Sequence, residues 1–364
     1  MDYFNTIEIN KKNLLHNLTI LKKLQPQKEI CAMVKADAYG HGIKDIVLIL
    51  KKYVSYFGVA NCIEALKVRN LTKTNHILLC GLYNKERLIE LIENDISLTI
   101  FTFKHLNEII RVCKKLNKKA KIHIKLNTGM NRLGIKNKAY FKRFLDKIYA
   151  NSKYIILEGV YSHFFASDCS KGLTENQYFK FIDFINLIPN RDCINIHIEN
   201  SAGFIHHADK FNVCSMARIG ITLYGYNPTD IKINLKPVLT LKSKLIAINN
   251  LKPSEYVGYG NKFITSKKIK IGVIPLGYYD GLLRKYVGSF VLINDIPCQI
   301  VAVCMDMTLI NITNANAKVD DIVTLFGENE RFNLDAEYIA EKLDTISYEI
   351  LTNLKHERMN FKVI

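Results

Sequence analysis

The stretch Val34-Lys35-Ala36-Asp37-Ala38-Tyr39-Gly40-His41-Gly42 sets a lysine directly after the apolar, strand-like residues 30–34. Burial disfavours the charged form of an amine, so a lysine held at such a rim can lose its proton and form a Schiff base with a carbonyl. Taken alone, Lys35 reads as a surface lysine that follows a strand. Arg132 and Arg218 each offer a planar fork of N–H donors that suits a carboxylate or another planar acceptor; taken singly, Arg218 reads as half of a surface ion pair. His163 and His197 could carry protons, yet each by itself reads as a satisfied structural histidine. Tyr39 and Tyr348 singly read as half-buried structural rings.

These side chains need elements to hold them. Short apolar runs recur at residues 30–34, 56–60, 77–80, 98–101, 122–126, 155–161, 194–198 and 213–217, with amphipathic stretches such as 13–24 and 106–116 between them. Strand alternating with helix predicts a parallel sheet covered by helices, and eight such units in about 220 residues fit a (β/α)8 barrel. A doubly wound sheet is the alternative, but no Gly-x-Gly-x-x-Gly follows the first strand. Past Asn227-Pro228 the texture changes to β-like runs (238–248, 269–274, 289–293, 299–303, 322–325) with turn residues between them. The expected organisation is an α/β TIM-type barrel over residues 10–227 and a mostly β domain over 228–364. Residues 3–9 alternate like a strand and are expected to join that second domain. In a barrel, a lysine at the C-terminal end of a strand lies at the mouth, where barrel enzymes place their chemistry.

The chain has 364 residues, 48% hydrophobic and 23% charged, the balance of a soluble globular enzyme. No apolar run is long enough to span a bilayer, and the N-terminus does not read as a signal peptide. Nine cysteines without a Cys-x-x-Cys pair predict reduced thiols, neither a disulfide frame nor a zinc site, and a cytoplasmic location. Cys31, Cys80 and Cys193 sit in apolar runs and are expected to be buried. The formal charge is +17, but the paired lysines (11–12, 22–23, 51–52, 114–115, 118–119, 267–268) are spread along the chain. They read as solvated surface and not as a nucleic-acid or membrane patch.

The segment around Lys35 resembles the pyridoxal 5'-phosphate (PLP) lysine signature of the alanine racemase family, and the resemblance runs on in order along nearly the whole chain. Its segments are Lys125-Leu126-Asn127-Thr128-Gly129-Met130-Asn131-Arg132, Ser162-His163-Phe164, His197 with Asn200-Ser201-Ala202, and Arg218-Ile219-Gly220-Ile221 with Tyr224-Gly225. Val257-Gly258-Tyr259-Gly260, Pro275 to Gly281 and Cys304-Met305-Asp306 continue it in the second domain. A single tetrapeptide of this kind is weak; eight in sequence are strong.

The resemblance implies PLP as cofactor and alanine as substrate, with D-alanine supplied for peptidoglycan. It implies phosphate contacts from Tyr39, Ser201, Gly220, Ile221 and Tyr348, beside Asn200. Barrels often hold phosphate after strands seven and eight, where Ser201, Gly220 and Ile221 stand. Arg218 would face the pyridine nitrogen; an arginine stays protonated and cannot give that nitrogen a full proton, so the cofactor is a weaker electron sink than beside an aspartate. His163 would pack on the ring. Racemisation needs proton exchange on two opposite faces of Cα, hence two bases: by resemblance Lys35 serves D-alanine and Tyr259 serves L-alanine. A tyrosine used as a base needs cationic or donating neighbours, for which the family implies His197 and Arg218. Arg132 and the backbone N–H of Met305 would bind the substrate carboxylate, with Lys125, a position carbamylated in many relatives, orienting the arginine. Tyr278, Tyr348 and the Met305-Asp306 loop would narrow the pocket. The family also implies a homodimer whose sites take Lys35 from one chain and Tyr259 from the other.

Departures are Asn131 where glycine is commoner, Val301-Ala302-Val303 before Cys304, and Tyr278 where small residues are common. Competing readings are a broad-specificity or serine racemase, a basic amino-acid decarboxylase, which Arg218 argues against, and a non-catalytic PLP-binding protein, which the second domain argues against.

Overall fold

A computed structural model describes residues 4–206, 211–260, 262–328 and 332–364. The first strand, β1 (Asn5–Ile9), precedes a helix over Lys11–Leu24 that Asn10 caps by accepting from the Asn13 N–H. Tyr3, with which the predicted first strand begins, lies outside the described residues. Eight parallel strands follow: β2 (Glu29–Met33), β3 (Tyr56–Val59), β4 (His76–Leu79), β5 (Ser97–Ile100), β6 (Ala120–Lys125), β7 (Ile155–Tyr161), β8 (Asn195–His197) and β9 (Met216–Ile219). They pair in the order β8-β7-β6-β5-β4-β3-β2-β9. The seam between β8 and β9 is bridged by the Ser215 N–H on the Ile196 carbonyl (2.9 Å) and the Arg218 N–H on the Glu199 carbonyl (3.1 Å). The result is the expected barrel, with helices such as Phe103–Leu116 outside it, the latter capped by Thr102.

The second sheet is built from β10 (Leu239–Lys244), β11 (Ala247–Leu251), β12 (Ile269–Ile274), β13 (Phe290–Ile293), β14 (Ile296–Val303), β15 (Thr308–Asn311), β16 (Ile322–Glu328), β17 (Asn333–Leu334) and β18 (Met359–Val363). As expected, β1 joins this sheet, antiparallel to β10 and parallel to β18. Two helices, Ala336–Leu343 and Ser347–Thr352, lie near the chain end.

Three expectations are corrected. The eighth barrel strand begins at Met216, because the Cys214 N–H bonds the Phe211 carbonyl and makes residues 211–214 a turn. The run 238–248 is two strands. Its chain changes partners there, from Asp321 at Leu245 to Val273 at Ile246. Cys193 is exposed, in a short 3-10 turn before β8, whereas Cys31 is buried and Cys80 half-buried. The paired lysines are exposed apart from the half-buried Lys51. Among the described residues no helix is long and apolar enough to cross a membrane.

Candidate active site

Lys35 follows β2, and the backbone after it turns the wrong way for L-residues. Ala36, Asp37, Ala38 and Tyr39 have φ of 51°, 50°, 56° and 54°. Such left-handed geometry costs about 1–2 kcal/mol per residue, so the surroundings must impose it. Glu64 does part of this, taking the Ala36 and Ala60 N–H groups at 2.8 Å each on its two oxygens. Asp37 does the rest. It accepts from the Ile43 N–H (2.8 Å) and from Nδ1 of His356 (2.7 Å), a residue of the chain's C-terminal part. The turn aims Lys35 into a cavity of about 380 Å³.

Lys35, Tyr39, His163, Asn200, Ser201, Arg218, Gly220, Ile221 and Tyr348 all line this one cavity, with Met33, Ala36, Ala60, Glu64 and Thr352. Burial lowers the Lys35 pKa, and the nearby Arg132 and Arg218 charges lower it further against the opposing pull of Cys80 and Glu64. The amine is thus biased toward its neutral, nucleophilic form. At one wall, Ser201 Oγ accepts from the Gly220 N–H (3.2 Å) and from the Thr222 hydroxyl (3.0 Å). With both acceptor positions filled, its own O–H is left to donate. A side chain on Gly220 would put Cβ 2.3 Å from the Tyr39 hydroxyl oxygen, so glycine here lets that hydroxyl reach the Ser201–Gly220 backbone. The Tyr39 ring lies between Tyr224 (5.1 Å) and Tyr348 (6.1 Å). Behind it, burial pushes the His41 pKa down to about 4.

Arg218 is buried. It donates to Nδ1 of His197 (2.6 Å), to Nδ1 of His163 (2.9 Å) and to the Ser162 carbonyl (2.8 Å). Burial, then the charge of Arg218, hold both histidines well below their ordinary pKa. Both imidazoles are therefore neutral with the proton on Nε2. Lys125 is buried at the end of β6, with Nζ 4.1 Å from the Tyr161 ring centre. Burial, Arg218 and Arg132 depress its pKa strongly. Arg132 is exposed on the loop after β6, where Asn131 takes a left-handed φ of 58°. That conformation suits glycine and tolerates asparagine, which accounts for the departure at this position.

The remaining candidates stand apart. Tyr259 is 74% exposed and lines a different cavity, with Lys262, Arg284 and Val303 of the β domain. Met305 is 57% exposed, and Asp306 is exposed too. Tyr278 and Tyr279 donate their backbone N–H groups to the Cys304 (3.0 Å) and Met305 (2.8 Å) carbonyls, which ties these two loops together. Asp280, buried beneath them, is clamped by Arg358.

The sequence reading missed several residues here. Glu64 and Thr222 brace the cavity, and the buried pair Lys28–Glu199 (2.8 Å) anchors the loop that carries Asn200 and Ser201. Burial raises Glu199 to about 7 against the opposing pull of Lys28. No local spacing marks these residues, because each partner arrives from a distant segment.

The cavity's donor set fits a phosphorylated pyridoxal group. It joins an amine whose pKa burial lowers, a hydroxyl and backbone N–H groups that can only donate, and a cationic wall. Its one carboxylate, Glu64, is occupied by backbone N–H groups.

Residues 9–228 match the family model "Alanine racemase, N-terminal domain", and residues 238–362 match "Alanine racemase, C-terminal domain". An alanine racemase of Methanococcus maripaludis is 35% identical over 355 residues, covering 94% of this chain and 94% of that protein. One from Clostridium tetani is 35% identical, covering 94% and 91%. Among solved structures, the alanine racemase of Clostridium difficile 630 superposes with a TM-score of 0.92 at 32% identity, over 100% of this chain and 97% of that one. That of Bacillus anthracis with bound L-Ala-P gives 0.90 at 28% identity, over 99% and 95%.

Proposed function

The chain belongs to the alanine racemase family, and from that premise we propose that it interconverts L- and D-alanine at the Lys35 cavity, as a homodimer in the cytoplasm, supplying D-alanine for peptidoglycan. The observation that carries the reading is the gathering of Lys35, Arg218, Ser201 and Gly220 around one cavity while Tyr259 stands exposed on the other domain.

Lys35 would hold PLP by its amine. Tyr39, Ser201, Gly220, Ile221, Tyr348 and Asn200 would hold its phosphate, Arg218 its ring nitrogen, and His163 its ring face. When bound, PLP supplies a sink for the electron pair left at Cα as its proton departs. Arg218 keeps its charge and its donor role, held in place by two neutral histidines and the Ser162 carbonyl. Facing the ring nitrogen, Arg218 would donate without giving up a full proton, which would favour return of the proton to Cα over transamination.

Arg132 and the Met305 N–H would bind the substrate carboxylate, with Lys125 orienting Arg132 and His197 steadying Arg218. Lys35, biased to the neutral amine, takes or returns the proton on the face used by D-alanine. Tyr259 serves the L-alanine face. A tyrosine 74% exposed in one chain needs cover before it can act in a dry site. A second copy provides it, and an isologous two-fold contact would place each Tyr259 at the other chain's Lys35. Tyr278, Tyr348 and the Met305-Asp306 loop would then bound a pocket small enough for a methyl side chain.

A racemisation assay of the purified protein over a panel of amino acids, with PLP absorbance recorded, tests this. Alanine is expected to turn over fastest. Serine turned over as fast as alanine would replace the reading by a broad-specificity racemase, and no turnover of any amino acid would reject it.

A further inference from the structure

Arg218 is a buried cation whose direct partners are two neutral histidines and the carbonyls of Ser162, His197 and Ile198. A buried guanidinium without a counter-charge is costly. A continuous line of side-chain hydrogen bonds leads from it to one. His197, which receives Arg218 on Nδ1, bonds through Nε2 to Nδ1 of His123 at 2.9 Å. His123 in turn bonds through Nε2 to Oε2 of Glu158 at 3.1 Å. Both histidines are fully buried.

The strands are shaped around this line. Pairing between β6 and β7 slips by one residue, with Ile122 opposite Leu157 and His123 opposite Gly159, so Glu158 is the extra residue of a bulge. The slip lets Glu158 meet His123 of β6, Ser97 of β5 and His76 of β4. A Cβ on Gly159 would lie 2.5 Å from the His123 ring, so only glycine leaves room for that ring. Tyr161 stacks flat on His197 at 4.8 Å and 3°.

We infer that Glu158 is a positioning residue for racemisation: acting through His123 and His197, it supplies the counter-charge of Arg218 and fixes which nitrogen of His197 the guanidinium meets. This rests on the reading of Arg218 as the partner of the PLP ring. The polarity of the line has one solution. A carboxylate only accepts, so His123 carries its proton on Nε2 and offers a bare Nδ1. His197 then donates from Nε2 and offers a bare Nδ1 to Arg218. A second proton on His123 would reverse His197 and turn an N–H against the guanidinium. Burial alone would raise the Glu158 carboxyl, but hydrogen bonds from His123, His76 and Ser97 outweigh it and hold the group well below the ordinary carboxylate range. Among the described residues, Lys121 of β6, 4.0 Å away, and Tyr56 of β3 also face it.

Nitrogen-15 NMR of histidine-labelled holoenzyme, with assignments from single His→Gln variants, reads the tautomers directly. His197 is expected to carry its proton on Nε2 with Nδ1 bare, and His123 to donate from Nε2 to Glu158. Glu158→Gln is expected to mix the His197 tautomers, to lower kcat for alanine about tenfold with KM within about twofold, and to shift the pH profile of kcat. Glu158→Asp should recover part of the loss. A wild-type His197 protonated on Nδ1 would overturn the inference, as would a Glu158→Gln variant with unchanged tautomers and an unchanged pH profile. If Glu158→Gln does not fold, the wild-type tautomers decide. A wild-type protein with the expected tautomers but no racemase activity would instead reject the proposed function and leave the relay standing.

Discussion

The mouth of the barrel and the outer face of the β domain are built on opposite plans. At the mouth, key candidates are braced: Arg218 by two imidazoles and a carbonyl, the Lys35 turn by Glu64 and Asp37, Ser201 by Gly220 and Thr222. On the β domain, Tyr259 and Met305 stand 74% and 57% exposed, while backbone hydrogen bonds hold the loops that carry them. The contrast shows where precision is stored. The cavity proposed to hold the cofactor is finished within one chain, whereas Tyr259, proposed as the second base, stands exposed on the β domain.

The comparison breaks hardest at Lys35. Lys35→Ala is expected to lower racemisation by on the order of 10⁴-fold, and borohydride reduction followed by peptide mapping should no longer find a pyridoxyl group at this position. A pyridoxyl group found on another lysine of the wild type would move the site.

Tyr259→Phe is the matching cut on the exposed face, with an expected loss of about 10²–10⁴-fold in racemisation. Exchange of solvent deuterium at Cα should persist for D-alanine, served by Lys35. Equal residual exchange for both enantiomers would contradict the face assignment. Mixing Lys35→Ala with Tyr259→Phe chains sharpens the contrast further. Random pairing makes half the dimers mixed, each with one intact site, so roughly a quarter of wild-type activity should return. No recovery, with subunit exchange shown by native mass spectrometry, would place each site within a single chain.

A smaller effect is expected at Gly220. An alanine there would drive Cβ to 2.3 Å from the Tyr39 hydroxyl oxygen, in a ring stack with little room to shift. PLP affinity should fall about tenfold, a change of about 1.4 kcal/mol, by equilibrium dialysis of the folded apoenzyme. Unchanged affinity would separate Tyr39 from the phosphate site.

The smallest expected change tests electrostatics at the mouth. Arg132 is among the cations that, after burial, lower the Lys35 pKa. Only the neutral amine attacks a carbonyl, so removing that charge in Arg132→Gln raises the pKa and reduces the neutral fraction at a given pH. The pH midpoint for recombination of apoenzyme with PLP should move upward. A downward shift would mean that Arg132 does not act on Lys35 through its charge.

Much of this was legible in the sequence, and the rest for physical reasons was not. Barrel strands such as β7 are apolar runs bounded by polar turns, so their pattern survives in a one-dimensional reading. The edge strand β18, Met359–Val363, has four of its five residues exposed or half-buried and leaves no such pattern. β15, Thr308–Asn311, is four residues long and alternates without an apolar run. Lys35, Arg132 and Arg218 could be singled out in the sequence because each sits inside a distinctive segment. Glu64, Glu199 and Glu158 could not, since their roles come from partners in distant segments. For Glu158 the decisive event is a one-residue slip between strands, which changes a side chain's surroundings without altering its local sequence.

The bond from His356 to Asp37 carries a consequence for how the molecule comes apart. The left-handed turn that presents Lys35 is a strained spring, and one of its catches belongs to the chain's far end. Fraying of the C-terminal segment would release that catch, and the turn could then relax toward ordinary backbone while the barrel strands stayed paired. Relaxation of the Lys35 turn and detachment of the C-terminal segment are therefore expected to occur together, below the free energy of global unfolding. In hydrogen exchange the amides of residues 36–42 should open together with those of β18, and apart from those of β6 and β7.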